Sequence, residues 1–146
     1  RVAVLQVGGH HRLLRIQPVA GAVPELYKTD MTTCCAQRKV EPLARMKLPY
    51  EGWVTGLKRV DAPTRKNTPV LEIDKTGRIK LNPLASWTDD DVDQFIEDND
   101  LIIHPLTKAG FPSIGCAPCT HRVAPGADPR SGRWAGAEKT ECGLHT

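Results

Sequence analysis

No apolar run in these 146 residues approaches the ~20 that a helical membrane span needs, so no membrane is expected as a partner. The first residues lack the basic, apolar and small-residue order of a secretory signal. No internal repeat or low-complexity segment interrupts the chain. Net charge is also scarce: the formal balance is +3, too small to argue for nucleic acid as a partner. Methionine does not open the sequence. Arg1 is followed by Val2 to Leu5, which reads as a strand already under way. The stretch is therefore expected to come from inside a longer protein.

What remains is ordinary globular composition, 40% hydrophobic and 25% charged, enough for one domain with a core. The five cysteines are its least ordinary feature. An odd count with a C-x-x-C spacing argues against a secreted disulfide framework and for a reducing, cytoplasmic setting. Basic residues cluster as Lys58, Arg59, Arg65 and Lys66, and again as Arg122, Arg130, Arg133 and Lys139. Such clusters suit a small polyanion or a solvated loop.

The pattern along the chain predicts α/β structure. Residues 2–7 and 13–17 read as strands separated by Gly8-Gly9-His10-His11. Asp30 to Thr33 can cap the segment carrying Cys34 and Cys35. A helix is predicted over about 40–46, with Pro42 in its first turn, ending at Leu48-Pro49. Residues 53–57 read as a strand and 58–67 as a basic loop. Residues 70–73 and 79–81 flank Asp74-Lys-Thr-Gly77 as a hairpin. Thr88 followed by Asp89, Asp90 and Asp91 is a helix start, with Val92, Phe95 and Ile96 spaced to bury one face. The three aspartates fit capping better than a metal site. From His104 to about residue 141, glycine and proline predict loops and turns.

Four of the cysteines form two pairs, Cys34-Cys35 and Cys116-Ala-Pro-Cys119. Several converging thiolates need a cation to offset their repulsion. Adjacent cysteines strain a single tetrahedral ion but can reach separate corners of an iron–sulfur cube, which takes four cysteine ligands. Structural zinc on four cysteines and buried unligated thiols remain open on spacing alone. Cys142 stands apart, three residues after Lys139 and three before His145. Nearby cations favour a reactive thiolate; an idle surface thiol is the alternative.

Lys139-Thr-Glu-Cys-Gly-Leu-His145 resembles the reactive-cysteine motif of the assimilatory adenylyl-sulfate and phosphoadenylyl-sulfate reductases. Cys34-Cys35-Ala-Gln-Arg-Lys39, Thr55-Gly-Leu-Lys-Arg59, Ala62-Pro-Thr-Arg65, Asn82-Pro-Leu84, Gly115-Cys-Ala-Pro-Cys-Thr120 and Arg130-Ser-Gly-Arg-Trp134 are similar to further segments of that family, in family order. The resemblance spans roughly 26–146, and residues 1–25 show none. The paired cysteines resemble the iron–sulfur branch, which acts on adenylyl sulfate. The resemblance implies a 4Fe-4S cluster on Cys34, Cys35, Cys116 and Cys119, and Cys142 as nucleophile. It also implies substrate contacts from Lys39, Arg65, Arg130, Arg133 and His145. Thioredoxin or glutaredoxin is the implied reductant, acting on a Cys142 S-sulfonate during sulfate assimilation. A phosphoadenylyl-sulfate reductase, a non-catalytic metal-binding or redox-sensing module, and an ATP-using sulfur-transfer enzyme for tRNA are the alternatives.

The implied fold is the C-terminal part of a doubly wound, adenine-nucleotide alpha-hydrolase-like sheet with a loop-rich end, all of 1–146 belonging to one domain of a longer reductase. The family's nucleotide loop has no counterpart here, since Gly8-Gly9 lacks a following Ser or Asp. This stretch alone is expected to miss adenine and ribose contacts. His121 stands where many relatives carry arginine.

Overall fold

The computed structural model describes residues 2–7, 10–15 and 17–145, the first two segments in backbone only. They fall into two compact units, Arg1–Pro49 with Ala137–Thr146, and Tyr50–Gly136.

In the first unit, β1 (Val2–Val7) pairs antiparallel with β2 (His10–Arg15), from Val2↔Arg15 to Val7↔His10. The second strand thus starts three residues before the predicted one, because the ladder runs unbroken until His11 and His10 lie opposite Gln6 and Val7. Gly8, Gly9 and Ile16 lie outside the described residues. Helix α1 (Met31–Cys35) starts as its sequence predicts. The Asp30 carboxylate accepts the Thr33 N–H at 2.9 Å and the Thr33 hydroxyl at 2.6 Å, and these bonds hold its carboxyl below the usual range. A π-helical turn, Ala36–Val40, follows directly and passes into α2 (Glu41–Lys47), whose first turn holds Pro42. A strap of chain crosses this turn. The Val19 N–H donates to the Gln37 carbonyl at 3.0 Å, and the Arg38 guanidinium donates to the Val23 carbonyl at 2.9 Å.

The second unit is built on a three-stranded sheet of β3 (Gly52–Val54), β4 (Leu71–Ile73) and β5 (Ile79–Leu81), in the order β3-β5-β4. β3 runs parallel to β5, while β4 and β5 form the predicted antiparallel hairpin. Asp74 organises the connecting turn. Its carboxylate accepts the Thr76 N–H at 2.8 Å, the Arg78 N–H at 3.1 Å and the Trp53 indole N–H at 2.9 Å. Hydrogen bonds led by the Thr76 side chain hold the Asp74 carboxyl far below its ordinary value. Gly77 closes the turn at φ 80, a region that costs other residues strain.

β3 ends at Val54, short of the predicted Leu57, although the N–H of the next residue, Thr55, still donates to the Leu81 carbonyl at 2.9 Å. The Thr55 hydroxyl donates to the Asn82 side-chain carbonyl. Asn82 is wholly buried, and its amide donates to the Pro69 carbonyl at 2.8 Å and to Glu72 at 3.2 Å. Thr55 also accepts the Leu57 N–H at 3.3 Å, and the Arg59 N–H donates to the Ala85 carbonyl at 3.0 Å. The loop carrying Lys58 and Arg59 therefore hangs from Asn82. Asn82→Ala is expected to cost about 1–3 kcal/mol, since it strands buried donors and acceptors. Thr88→Ala, which removes an exposed cap, is expected to cost nearer 1 kcal/mol. Urea unfolding of the two variants checks the order, and equal midpoint shifts would contradict it.

Helix α3 (Asp89–Asp98) begins with a reciprocal cap: Thr88 Oγ1 accepts the Asp91 N–H at 3.1 Å and Asp91 accepts the Thr88 N–H at 2.8 Å. Its apolar face is less covered than its periodicity suggests. Val92 and Ile96 are half-buried, but Phe95 is 47% exposed and meets the Trp87 ring edge-on at 5.3 Å. Periodicity says which face is apolar, not whether another layer lies on it. Beyond α3 the chain is loop-rich as predicted, apart from α4 (Pro105–Lys108) and a 3-10 turn at Ala117–Cys119.

Candidate functional site

In the first unit, α1 ends on Cys34 and Cys35, the former half-buried and the latter buried. Lys39 is buried in the π-turn that follows. Such turns, with i→i+5 bonding, often mark functional positions. The C-terminal segment lies on this helix, where Lys139 Nζ donates to Thr32 Oγ1 at 3.3 Å. Burial pushes the Cys35 thiol above its ordinary value, against the opposing pull of the Lys39 and Lys139 ammonium groups. Cys142 and Cys34 add to the upward push, so Cys142 lies within electrostatic range of Cys35. One cluster thus gathers Cys34, Cys35, Lys39, Lys139 and Cys142 from opposite ends of the chain. His145 is half-buried on the same segment, with Nδ1 inside.

In the second unit, Cys116 and Cys119 sit on a closed turn. The Cys119 N–H donates to the Cys116 carbonyl at 2.9 Å. Thr120 Oγ1 donates to that same carbonyl at 2.8 Å and accepts the Gly115 N–H at 3.1 Å. The turn is tied to the 130–134 segment, because the Trp134 N–H donates to the Cys119 carbonyl at 3.2 Å and the His121 N–H to the Gly132 carbonyl at 2.8 Å. A Cβ on Gly132 would come within 2.3 Å of the His121 carbonyl oxygen, so only glycine allows this approach. Trp134 is buried at φ 52, a costly conformation for a bulky residue. Its ring lies 4.5 Å from the Arg133 guanidinium carbon and 6.0 Å from that of Arg130, a cation–π arrangement. Gly115, at the start of the cysteine motif, leaves room for Arg133. A Cβ there would meet the guanidinium at 2.2 Å.

Arg130 also borders a cleft of about 410 Å³, with Lys58, Asp89, Ser113 and Asp128 among its other lining residues. The basic loop beside it is not a bare cation cluster. Burial alone would lower the Lys58 ammonium, but Asp89 and Asp61 outweigh that and hold it above its ordinary value. Arg65 donates to Asp61 at 3.1 Å, and Arg59 Nε to the Thr68 carbonyl at 2.8 Å. His121 and Arg122 are exposed, with Arg122 over the Phe111 ring at 5.7 Å.

None of the five cysteines forms a disulfide. Among the described residues, no group of three or more His, Cys, Asp or Glu stands together in a way that could hold a metal ion. Cys34 and Cys35 lie in the first unit, and Cys116 and Cys119 in the second. Sequence reasoning missed Trp134, Asp61 and Asp89 as partners of the basic residues. Trp134 could have been suspected from its place beside Arg133; the two aspartates carry no such signal.

Residues 11–122 match the family model described as the phosphoadenosine phosphosulfate reductase domain. The chain belongs to that family. The phosphoadenosine phosphosulfate reductase match begins within residues 1–25, where short motifs give no resemblance. A relative from Mycobacterium tuberculosis named adenosine 5'-phosphosulfate reductase is 52% identical over 145 residues, 99% of this chain and 56% of its own length. One from Rhodococcus erythropolis with the same name is 53% identical over 122 residues, 83% of this chain and 49% of its own length. The chain therefore spans about half the length of the curated relatives it matches. Among solved structures, phosphoadenylyl-sulfate reductase from Candida auris, a phosphate complex, matches with TM-score 0.57 and 28% identity. That match covers 68% of this chain and 47% of the other. The fold class is accordingly the α/β class of these reductases, similar to the adenine-nucleotide alpha-hydrolase type.

Proposed function

We propose that this chain is the C-terminal, thiol-bearing part of a longer cytoplasmic reductase. That enzyme converts adenylyl sulfate to sulfite and AMP during sulfate assimilation. The observation that carries the reading is the docking of the C-terminal segment on α1, which brings Cys142 and Lys139 to the Cys35 and Lys39 side of the unit. The names of the mycobacterial and rhodococcal relatives support adenylyl sulfate as substrate.

In the first step the Cys142 thiolate attacks the sulfate sulfur. An S–S bond forms, the S–O bond to the phosphate breaks, and AMP leaves with the bonding pair. In the second step a thiolate of a thioredoxin- or glutaredoxin-type dithiol attacks Cys142 Sγ and expels sulfite. The dithiol's second thiol then resolves the mixed disulfide, restoring Cys142. The dithiol is oxidised and sulfur is reduced from the sulfate to the sulfite level. Lys39, Arg65, Arg130, Arg133 and His145 are the proposed contacts to the phosphosulfate oxygens. Arginine suits this work because its planar fork meets oxyanions in pairs. The Trp134 ring under two guanidiniums holds them ready, so less reorganisation is needed as charge moves to the leaving phosphate.

Cys34, Cys35, Cys116 and Cys119 are the proposed ligands of a 4Fe-4S cluster. The donor chemistry fits, with four cysteine side chains outside any disulfide on two tight helical turns. The Trp134 indole N–H fits as well. It is buried with no hydrogen-bond acceptor, and its own backbone is bonded to Cys119. When bound, the cluster would supply a fixed negative field. The buried Lys39 ammonium is the residue of this chain placed to balance that charge beside Cys35.

Phosphoadenylyl sulfate is the second reading, favoured by the name of the Candida auris neighbour. A protein of the relatives' full length, given either nucleotide without a dithiol donor, separates the two. The tryptic peptide carrying Cys142 is expected to gain the mass of one sulfonate, faster with adenylyl sulfate. Faster labelling by the 3′-phosphorylated nucleotide would move the substrate assignment. No adduct with either would overturn the mechanism.

A further inference from the structure

The small sheet of the second unit has its polarity reversed. Strand register places Trp53, Lys80 and Glu72 in one row across β3, β5 and β4. Lys80, in the middle, is only 5% exposed. Its ammonium lies 2.9 Å from the Glu72 carboxylate and 5.5 Å from the Trp53 ring centroid. The neighbouring rows, Gly52-Ile79-Ile73 and Val54-Leu81-Leu71, point to the other face because side chains alternate along a strand. There Val54 is 66% exposed, Leu71 62% and Ile73 65%, with Ile79 also exposed. The centre of the charged row is covered, while Val54, Leu71, Ile73 and Ile79 of the apolar rows are open.

A sheet with one wet face does the opposite, putting apolar residues inward. Contiguous apolar side chains left open mark a surface that meets another element.

We infer that the Val54-Leu71-Ile73-Ile79 face is an interface within the longer reductase polypeptide. On this reading it is covered by an apolar-faced element from the part of the relatives that has no counterpart here. The aligned region takes in 99% of this chain but only 56% of the Mycobacterium tuberculosis relative, so nearly half of that polypeptide is available to supply the cover. A second copy is a poorer occupant. Four aliphatic side chains fall well short of the ~800 Å² per partner that a stable interface buries. A covering element on the same polypeptide avoids the translational and rotational cost of association. The inference rests on family membership and sheet geometry, and stands apart from the chemistry of Cys142.

The test compares this 146-residue chain with the same chain joined to the remaining part of the Mycobacterium tuberculosis relative. In the joined protein the amides of 71–73 and 79–81 are expected to exchange hydrogen more slowly. Leu71→Asp with Ile73→Asp is expected to move its unfolding midpoint to lower denaturant while leaving the chain alone unchanged. Equal exchange in both contexts would overturn the inference, and this readout holds even if the double variant fails to fold. A dimer of the chain alone that the double variant breaks would assign the face to a second copy and overturn it as well. Neither readout depends on sulfite formation, so failure here is distinct from failure of the proposed reaction.

Discussion

Replacing Cys142 with serine is expected to cut sulfite release by a factor on the order of 10³ or more, with adenylyl sulfate still binding. Two independent losses drive this. A serine hydroxyl is scarcely ionised near neutral pH, so the first attack has no competent nucleophile. Even a serine that did attack would carry an O-sulfate, and a thiol donor would then find no S–S bond to break. Binding should survive because the proposed contacts to the phosphosulfate are cations, and serine is close to cysteine in size. The Lys139 to Thr32 hydrogen bond, which holds the segment on α1, involves neither atom changed. Sulfite assay and calorimetric titration on a protein of the relatives' full length check the two halves. Sulfite release at a sizeable fraction of the wild-type rate would remove Cys142 from the mechanism. Loss of nucleotide binding would instead make it part of the binding surface.

The features legible in the sequence are those set by residues close together along it. The Thr88–Asp91 cap, the Asp30 cap before the cysteine pair, the hairpin around Asp74 and the proline-started α2 each depend on fewer than ten neighbouring residues. Local rules are strong there because the backbone's orphan groups find side chains within one turn. The π-turn at Ala36–Val40 had no such signal, and the strap from Val19 to Val23 that bonds to it lies more than a dozen residues away in the chain. Nor could periodicity foresee that Phe95 would meet a single ring, or that Lys80 would be buried while Ile73 stayed open.

The candidate site shows the same division. The motifs picked out all five cysteines and the basic residues, because residue type carries the chemistry. Which of them gather depends on closing the chain: Lys139 reaches Thr32 across 107 positions, and Trp134 reaches Cys119 across a loop. Sequence spacing could not show that Lys58 answers to Asp89, or that Gly115 is small to admit Arg133. In both cases the partner is chosen by packing and not by neighbourhood.

Cys119→Ser is expected to empty the protein of iron and acid-labile sulfide and to stop sulfite formation, while Cys142→Ser keeps its iron. The turn is held by backbone bonds from Cys119 to Cys116 and from Trp134 to the Cys119 carbonyl, and by the Thr120 hydroxyl. None uses the sulfur. Serine fits the space, and burying its hydroxyl in place of a thiol costs about 1–3 kcal/mol, so the metal-free fold should persist. A serine hydroxyl is a poor substitute for a soft thiolate at iron, and three ligands hold a cubane less well than four. Iron and sulfide analysis with visible spectra of anaerobically purified variants gives the result. The comparison between the two variants is what tests the division of the cysteines into four and one. Zinc without sulfide in the wild-type protein would replace the cluster with a structural ion. Retained iron and sulfide in Cys119→Ser would strike that residue from the ligand set. Loss of iron in Cys142→Ser would show that the fifth cysteine belongs with the other four and is no free nucleophile.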